Sequence, residues 1–322
     1  MPAPLSLNRR ELLAGMAAVA AVHAASRFAS AGESSSPFRI AVINDEISQD
    51  FGRSCEVASR EFGMRWIELR GMWKKNIVNL DEKEIAEARG ILEKYQLKVT
   101  DIASPLFKVD WPGAPKSKFS EAKSFGANFT LSQQDEVLDR AIAMAKAFGT
   151  DRVRCFDFWR LEDQAPYRAA INDKLRDAAA KAEKNGIILV LENEYACNTA
   201  TGAEAAKVLS EVRTPSLMLN WDPGNAAARG EIPYPDGYSH LPKDRIGHCH
   251  CKDAVKKGEH YDWAPMGGGI IDWTGQFKAL KADGYHYAVS LETHWNGGGS
   301  PEESSRKSWA GMKRLLQQAD AL

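Results

Sequence analysis

The chain has 322 residues, of which 44% are hydrophobic and 26% are charged, so it can bury a sizeable core and is not disordered throughout. Its 42 basic and 43 acidic residues nearly cancel, which argues against a protein that binds the phosphate backbone of a nucleic acid. The five cysteines show no repeated spacing, which argues against a disulfide scaffold, and no apolar run has the length of a membrane span.

The amino-terminal segment 1–31 has the three parts of a secretory signal. A positively charged start precedes an alanine-rich apolar stretch, and Ala29 and Ala31 form a small-x-small cleavage site. The adjacent Arg9 and Arg10 are similar to the twin-arginine type of signal, which exports folded proteins. We therefore predict a precursor that engages the twin-arginine export machinery and a mature protein in the periplasm or outside the cell. The alternative is an alanine-rich tail with a chance arginine pair.

Eight short apolar or β-branched segments follow, and helical patterns separate most of them. The predicted strands are 38–47, 65–70, 98–104, 152–158, 187–193, 216–222, 246–253 and 288–294. Predicted helices begin at Asp81 and cover about 133–148, 167–184, 202–212, 273–283 and 301–319. Asp81 and Glu84 form a capping-box pair, and Gly186 and Gly284 end two of the helices.

The strand starts recur about every 36 residues, which is the spacing of repeated βα units. Such units force parallel strands with right-handed crossovers, and eight of them predict a single (β/α)₈ TIM barrel over 38–320. An open doubly wound sheet is the alternative, but no Gly-x-Gly-x-x-Gly follows the first strand. The long segments 104–130 and 263–269 then lie on the active-site face, as lids or as ordinary surface loops.

Four consecutive predicted strands end in a residue that can bind a metal ion. These residues are Glu192, Asp222, His250 and Glu292. Since the carboxyl ends of barrel strands share one face, we expect the four side chains to meet there. Three carboxylates and one imidazole suit Mn²⁺ best, with Mg²⁺, Co²⁺ and Zn²⁺ as further candidates. One glutamate at a strand end is typical of a solvated loop, whereas four matching positions indicate a site.

Strand alternation places His248 and His250 on one face of the seventh strand and Cys249 and Cys251 on the other. If the histidines face the barrel axis, the cysteines face the helices and belong to the core. His250 is nearer the carboxyl end of the strand and is therefore the expected ligand. His248 then lies one layer deeper, as a hydrogen-bonded core residue.

A set of motifs in the second half of the chain carries a family resemblance. They are Glu192-Asn193, Asp222-Pro223-Gly224-Asn225, His248-x-His250-x-Lys252-Asp253, Gly267–Gly269 with Ile271-Asp272, and Gly284-Tyr285 leading to Leu291-Glu292. Together they resemble the sugar phosphate isomerase/epimerase superfamily, the xylose isomerase-like TIM barrels, over about 185–295. In the first half only the rhythm agrees, with Ile67-Glu68-Leu69 similar to the family's second strand. Many relatives carry His where this chain has Glu194 and Asn225.

The resemblance implies one divalent metal ion bound by the two glutamates, the aspartate and the histidine that end strands five to eight. It also implies an isomerase or epimerase of a sugar or keto-sugar, which transfers a proton through a metal-stabilised enediolate. Glu192 and Glu292 are the expected acid and base. The expected substrate-binding residues are Lys252, Asp253, His294, Asn193, Glu194, Asn225, Arg154 and Glu68.

Several roles stay open at this point. Lys252 can neutralise an oxyanion, while Asn193, Asp253 and His294 can contact the substrate or hold the ligands in place. Arg154 and Glu68 can contact the substrate or form an internal ion pair. Tryptophans at predicted strand ends and in the loops beyond suit the apolar side of a sugar ring, with simple packing as the alternative. They are Trp73, Trp111, Trp159, Trp263 and Trp295.

Two other functions fit the same residues. One is a metal-dependent lyase or hydrolase that acts on oxidised glycosides, because proton abstraction next to a carbonyl can end in elimination. The other is a non-catalytic sugar-binding protein. In each case the partner is a small-molecule carbohydrate, and the sequence fixes neither the sugar nor the oligomeric state.

Export of the chain can be tested directly. The charged start, the apolar stretch and the Ala29-x-Ala31 site predict a mature protein that begins near Gly32. Amino-terminal sequencing of the protein from a periplasmic fraction is expected to find that start. An uncleaved protein that is absent from the periplasm would contradict the prediction.

Overall fold

The computed structural model describes residues 36–120, 128–258 and 260–322, and Pro37–Leu322 forms one compact unit. The predicted export signal therefore lies outside the described residues, as does 121–127 of the long segment 104–130. None of the described helices is both long enough and apolar enough to cross a membrane.

Eight parallel strands form a nearly closed barrel. They are β1 Arg39–Val42, β2 Trp66–Leu69, β3 Lys98–Leu106, β4 Arg152–Cys155, β5 Ile188–Glu192, β6 Leu217–Trp221, β7 Ile246–Cys251 and β8 Ala288–Leu291. The order β1-β8-β7-β6-β5-β4-β3-β2 is that of a rolled sheet, and a parallel bridge between Ile43 and Glu68 brings its edges together. Each strand overlaps a predicted one, and β3 runs two residues further than expected.

Helices connect the strands. They are α1 Phe51–Glu56, α2 Glu82–Tyr95, α3 Gln134–Phe148, α4 Arg168–Glu183, α5 Gly202–Glu211, α6 Pro223–Ala228, α7 Tyr238–His240, α8 Trp273–Ala282 and α9 Pro301–Gln318. Short 3₁₀ helices lie at Asn44–Glu46, Ile77–Asn79, Leu131–Gln133 and Lys243–Arg245, and short π helices at Val57–Glu61 and Pro233–Gly237. The Asp81–Glu84 capping box is present, with both reciprocal hydrogen bonds at 2.9 Å.

Helix α6 was not among the predicted helices. Pro223 occupies the first helical position, where its missing N–H costs nothing, and the Asp222 carboxylate accepts the N–H of Asn225 at 2.9 Å. The helix therefore starts on the same aspartate that ends the preceding strand.

Two antiparallel hairpins were also not predicted. The first pairs Gly71–Met72 with Lys75–Asn76, and the second pairs Asp253–Lys257 with His260–Ala264. The second, here called the strand-seven hairpin, follows β7 on the face that carries the strand ends. The predicted loop 263–269 thus begins as the returning strand of this hairpin.

The core has the predicted polarity at β7. Cys249 and Cys251 are fully buried free thiols within the hydrophobic core, whereas His248 and His250 are fully buried on the opposite face of the strand. The alternation of a strand thus separates a helix-facing apolar layer from a polar layer inside the barrel.

Two glycines make a matched test of the backbone. Gly186 ends α4 at φ +72°, and Gly90 lies exposed within α2; a Cβ at either position would meet no atom within 4 Å. Only Gly186 needs a left-handed conformation, which costs an L-residue roughly 1–2 kcal/mol. We expect Gly186→Ala to lower the free energy of unfolding by about 1 kcal/mol, and Gly90→Ala to raise it by about 0.5–1 kcal/mol. Denaturant titration measures both, and equal signs would contradict this reading of the helix end.

Candidate metal centre

The four side chains predicted as metal ligands come together at the carboxyl ends of β5 to β8. Each of Glu192, Asp222, His250 and Glu292 offers a ligand atom, and these atoms lie within 4.8 Å of one another. Three of the four come at or directly after the last residue of a strand, and His250 is the penultimate residue of β7. Parallel strands bring these ends to one face of the barrel, so the local pattern of each strand is sufficient to build the cluster.

The imidazole of His250 is at the centre of the cluster. Its Nδ1 lies 3.6 Å from Glu192 Oε1, 3.8 Å from Asp222 Oδ2 and 3.4 Å from Glu292 Oε2. All four side chains are almost fully buried. Three carboxylates cannot share a dry site without positive charge, because burial of unpaired anions is very costly.

A carboxylate holds the far side of the imidazole. Glu68 Oε1 lies 2.9 Å from His250 Nε2, so a proton on Nε2 donates to Glu68 and the ring presents Nδ1 to the three ligand carboxylates. Glu68 is buried inside the barrel. Of its two predicted roles, this contact favours the internal pair over a substrate contact.

His248 lies one layer below, as the strand pattern predicted. Its Nδ1 is 3.1 Å from Asn220 Oδ1, and the side chain is inaccessible to solvent. Burial lowers the pKa of His248 to about 3, against the opposing effect of Glu68, so the imidazole is neutral. His248 is thus a neutral, hydrogen-bonded residue beneath the carboxylate cluster.

Three cationic side chains surround the carboxylates. Lys252 Nζ lies 2.9 Å from Asp222 Oδ2 and 2.7 Å from Glu292 Oε2. Arg154 Nη1 is 3.1 Å from Glu192 Oε2, and Arg70 Nη1 is 3.3 Å from Glu292 Oε1. Arg70, at the end of β2, was not among the predicted site residues. Arg154 thus forms the internal ion pair that the sequence left open.

These charges bring the pKa of the two glutamates below its usual value, but not that of the aspartate. Burial raises the pKa of Glu292, but Lys252, His294 and His250 together bring it well below its usual range. His250 and Arg154 likewise outweigh burial and lower the pKa of Glu192. At Asp222 burial prevails over Lys252 and raises the pKa to about 7. Both glutamates are therefore carboxylates at neutral pH.

Two asparagines hold the ligands in place. Asn193 Oδ1 accepts the backbone N–H of Asp222 at 2.7 Å, and its Nδ2 donates to the Asp222 carbonyl at 2.8 Å. Asn225 Nδ2 donates to Glu192 Oε1 at 3.1 Å and to Asp222 Oδ2 at 3.0 Å. For Asn193 these contacts favour the role of positioning the ligands over a substrate contact, and Asn225 links two ligands directly.

Asp253 is directed at backbone rather than at the cluster. Its carboxylate accepts the N–H groups of Ala254 at 2.9 Å and of Gly267 and Gly269 at 3.0 Å each. A Cβ on Gly269 would lie 2.1 Å from Asp253 Oδ1, so the approach requires glycine. Asp253 therefore anchors the glycine-rich loop against the strand-seven hairpin.

Glu194 lies outside the ligand cluster. Its Oε2 is 2.9 Å from Lys108 Nζ, on the loop that follows β3. Lys108 was not predicted, since nothing in its local sequence marks it as part of the site. The geometry therefore puts Glu192 with the other candidate ligands and pairs Glu194 with a lysine.

His294 occupies the rim of the site. Its Nδ1 lies 3.1 Å from Glu46 Oε1 and 3.5 Å from Glu292 Oε1, and its backbone adopts φ +44°. The Trp263 ring meets it edge-on, with ring centroids 5.8 Å apart, and Lys252 Nζ lies 4.6 Å from the centroid of the same indole. Of the five tryptophans named in the sequence analysis, Trp263 is thus the one that contacts both His294 and Lys252. Glu46 is a site residue that the sequence did not reveal.

Comparison with known families agrees with this architecture. A family model described as the xylose isomerase-like TIM barrel matches residues 57–315, which is most of the chain. The chain belongs to this family. Members of the xylose isomerase-like family include epimerases, dehydratases and isomerases. No curated protein sequence matches the chain.

Solved structures of the family share the fold at low identity. The probable 3-DHS dehydratase AsbF from Bacillus anthracis is 18% identical, with a TM-score of 0.64 over 86% of this chain and 98% of that one. A xylose isomerase-like TIM barrel protein from Mycobacterium smegmatis in complex with magnesium is 16% identical, with a TM-score of 0.64 over 88% and 98%. The D-allulose 3-epimerase from Methylomonas sp. in complex with D-allulose is 17% identical, with a TM-score of 0.61 over 88% and 98%.

The donor set of this family member fits a divalent cation. Three carboxylate oxygens and one imidazole nitrogen face one another, as hard to intermediate divalent ions require. The Lys252 ammonium contacts Asp222 Oδ2 and Glu292 Oε2, which shows that these oxygens accept positive charge. The residues that would hold the ion are the four of the sequence prediction.

Adjacent residues on β7 test the ligand assignment. We expect His250→Ala to weaken binding of a divalent cation by more than the roughly 10- to 100-fold that loss of a residue contacting a ligand produces. Cys249→Ala changes the opposite face of the strand and should keep full metal content. Elemental analysis after dialysis against Mn²⁺ or Mg²⁺ measures both. Full occupancy in His250→Ala would remove this imidazole from the site.

Proposed function

We propose that the chain is a divalent-metal-dependent isomerase or epimerase that moves a proton next to the carbonyl of a sugar or keto-sugar. The observation that carries the proposal is the convergence of two ionised glutamates, an aspartate and a histidine at the carboxyl face of the barrel. The D-allulose 3-epimerase with the same fold supports a carbohydrate substrate. Mn²⁺ is the ion that we expect, with Mg²⁺ as the first alternative.

The two glutamates perform the proton transfer in this proposal. Because the pKa of Glu192 and of Glu292 is lowered, both side chains are anionic and able to accept a proton. One takes the proton from the carbon beside the carbonyl, and the C–H electron pair forms the enediolate. The other first takes a proton from solvent and then delivers it to the adjacent carbon or to the opposite face of the same carbon, while the first glutamate passes its proton to solvent. When bound, the cation supplies a Lewis acid that stabilises negative charge on the substrate oxygens.

The surrounding cations fix and balance these carboxylates. Arg154 and Arg70 hold Glu192 and Glu292 from outside the cluster, through Glu192 Oε2 and Glu292 Oε1. Lys252 is near enough to both Asp222 and Glu292 to offset negative charge that develops on the substrate. Since these groups interact strongly, their titrations belong to the set rather than to single residues.

Elimination is the second candidate reaction, and the Glu46–His294 pair favours it. His294 lies at the rim with one third of its side chain exposed, and Glu46 Oε1 fixes its Nδ1 at 3.1 Å. An imidazole held in this way can protonate a leaving group, which a lyase on oxidised glycosides requires. Isomerisation conserves the mass of the sugar, whereas elimination releases an aglycone, so product analysis separates the two.

We further propose that the enzyme acts outside the cytoplasm. The support is the amino-terminal pattern of Arg9, Arg10, an apolar stretch and a small-residue cleavage site. Export in the folded state would allow the metal to be bound before the protein leaves the cytoplasm.

Glutamine substitutions test the proton transfer. Glu192→Gln and Glu292→Gln keep a ligating oxygen but remove the base, so turnover should fall by about 10²- to 10⁴-fold while metal binding weakens less. Glu194→Gln is the matched control for metal binding, because Glu194 pairs with Lys108 outside the cluster and should keep the full metal content.

Exchange of the substrate proton with solvent deuterium is the readout for all three variants. Unchanged exchange in both Glu192→Gln and Glu292→Gln would contradict the acid–base assignment. Metal loss in Glu194→Gln alone would move the ligand from Glu192 to Glu194. A wild-type protein that binds sugars but exchanges no proton would be a binding protein.

A further inference from the structure

The ammonium of Lys252 contacts the same oxygens that complete the candidate cation site. Lys252 directly follows β7 and is 2% exposed. Its Nζ lies 2.9 Å from Asp222 Oδ2 and 2.7 Å from Glu292 Oε2. Those two oxygens are also the ones that face His250 Nδ1, at 3.8 and 3.4 Å. One ammonium and one metal ion would therefore share two of the same ligand atoms.

The neighbouring arginines bind differently. Arg154 contacts Glu192 through Oε2, whereas Glu192 Oε1 faces His250. Arg70 contacts Glu292 through Oε1, whereas Glu292 Oε2 faces His250. Both arginines thus occupy the outer oxygens of their glutamates and can stay in place when a cation binds, but Lys252 cannot keep both of its contacts.

The third contact of the ammonium points away from the cluster. Lys252 Nζ lies 4.6 Å from the centroid of the Trp263 ring, on the strand-seven hairpin. The indole is half-buried at the rim and contacts Tyr195 and His294 edge-on. A lysine that leaves the carboxylates thus has a cation–π partner nearby.

We propose that Lys252 and the divalent cation compete for Asp222 Oδ2 and Glu292 Oε2, so that cation binding moves the ammonium away from these oxygens and toward the Trp263 ring. The inference rests on the proposed function, because it assumes the same cation site. Two positive charges at hydrogen-bond distance from the same oxygens repel each other, and the ammonium must leave its ion pairs for the metal to bind. Lys252 therefore lowers the affinity of the site for metal, and the released ammonium becomes a binding group for an oxyanion of the substrate.

Calorimetric titration of the full chain with MgCl₂ and MnCl₂, after removal of metal with EDTA, tests the competition. Lys252→Met keeps the length of the side chain and removes the charge. We expect this variant to bind both cations at least about 10-fold more tightly than the wild type, since substitution of a residue that contacts metal ligands typically changes metal affinity by about 10- to 100-fold. Lys252→Arg keeps the charge and should not tighten binding.

Lys108→Met is the matched control for the general effect of losing a positive charge. Lys108 is a half-buried lysine whose ammonium pairs with Glu194 rather than with a ligand atom. If Lys108→Met tightens cation binding as much as Lys252→Met, the effect is one of overall charge and the competition is refuted. Unchanged or weaker binding in Lys252→Met also refutes it.

Folding of the variants is monitored by thermal unfolding with and without MnCl₂. A cation that no longer displaces a lysine should raise the melting temperature of Lys252→Met by more than that of the wild type. Lys252→Gln replaces Lys252→Met if the latter does not fold. A wild type that binds no divalent cation would overturn the proposed function itself, whereas normal binding without tightening in the variants overturns only the role of Lys252.

A crystal structure of the wild type grown with MnCl₂ gives an independent readout. We expect Lys252 Nζ beyond hydrogen-bond distance from Asp222 Oδ2 and closer to the Trp263 ring. An ammonium that keeps both carboxylate contacts beside a bound ion would contradict the proposal.

Discussion

The structure depends on one electrostatic constraint, the burial of three carboxylates and one imidazole within 4.8 Å of one another at the end of the barrel. Such a cluster is unfavourable unless positive charge balances it. The cationic groups of Arg70, Arg154 and Lys252 supply part of that charge, at contact distances of 2.7 to 3.3 Å. A divalent cation would supply the rest at the oxygens that face His250.

The barrel lowers the conformational entropy lost in forming this cluster, because it fixes the position of each ligand in advance. Rigid strands deliver Glu192, Asp222 and Glu292 to one face, and Asn193 fixes the backbone of Asp222 through hydrogen bonds of 2.7 and 2.8 Å. Glu68 fixes the imidazole of His250 from below. Groups held in this way lose little freedom when a ligand binds, which is the condition for preorganised catalysis.

The rim around the cluster is formed by residue pairs outside the set of candidate metal ligands. Glu194 pairs with Lys108, and His294 pairs with Glu46, while Trp263 covers the Lys252 ammonium. These residues lie on loops and on the strand-seven hairpin rather than in the barrel wall. Differences in reaction and substrate between members of a TIM-barrel family arise from such elements, since loops can change without disturbing the strands.

The sequence by itself determined the eight strands, the main helices and the four side chains of the cluster. Each of these is encoded locally: alternation separates His250 from Cys249, an apolar run ends at Glu192, and the parallel topology then brings the strand ends together. Helix α6 was not predicted from the sequence, because Pro223 and Gly224 suit a turn as well as the first turn of a helix.

Only the tertiary structure decided which charges meet. Arg70 contacts Glu292 across 222 positions of the chain, and Lys108 contacts Glu194 across 86. No local periodicity records such a pairing, because it depends on how loops from different strands fold over the same rim. The sequence also does not show which carboxylate oxygen each cationic group contacts. Whether a cation binds the inner or the outer oxygen of a glutamate follows from side-chain packing in three dimensions. That choice distinguishes Lys252 from the two arginines.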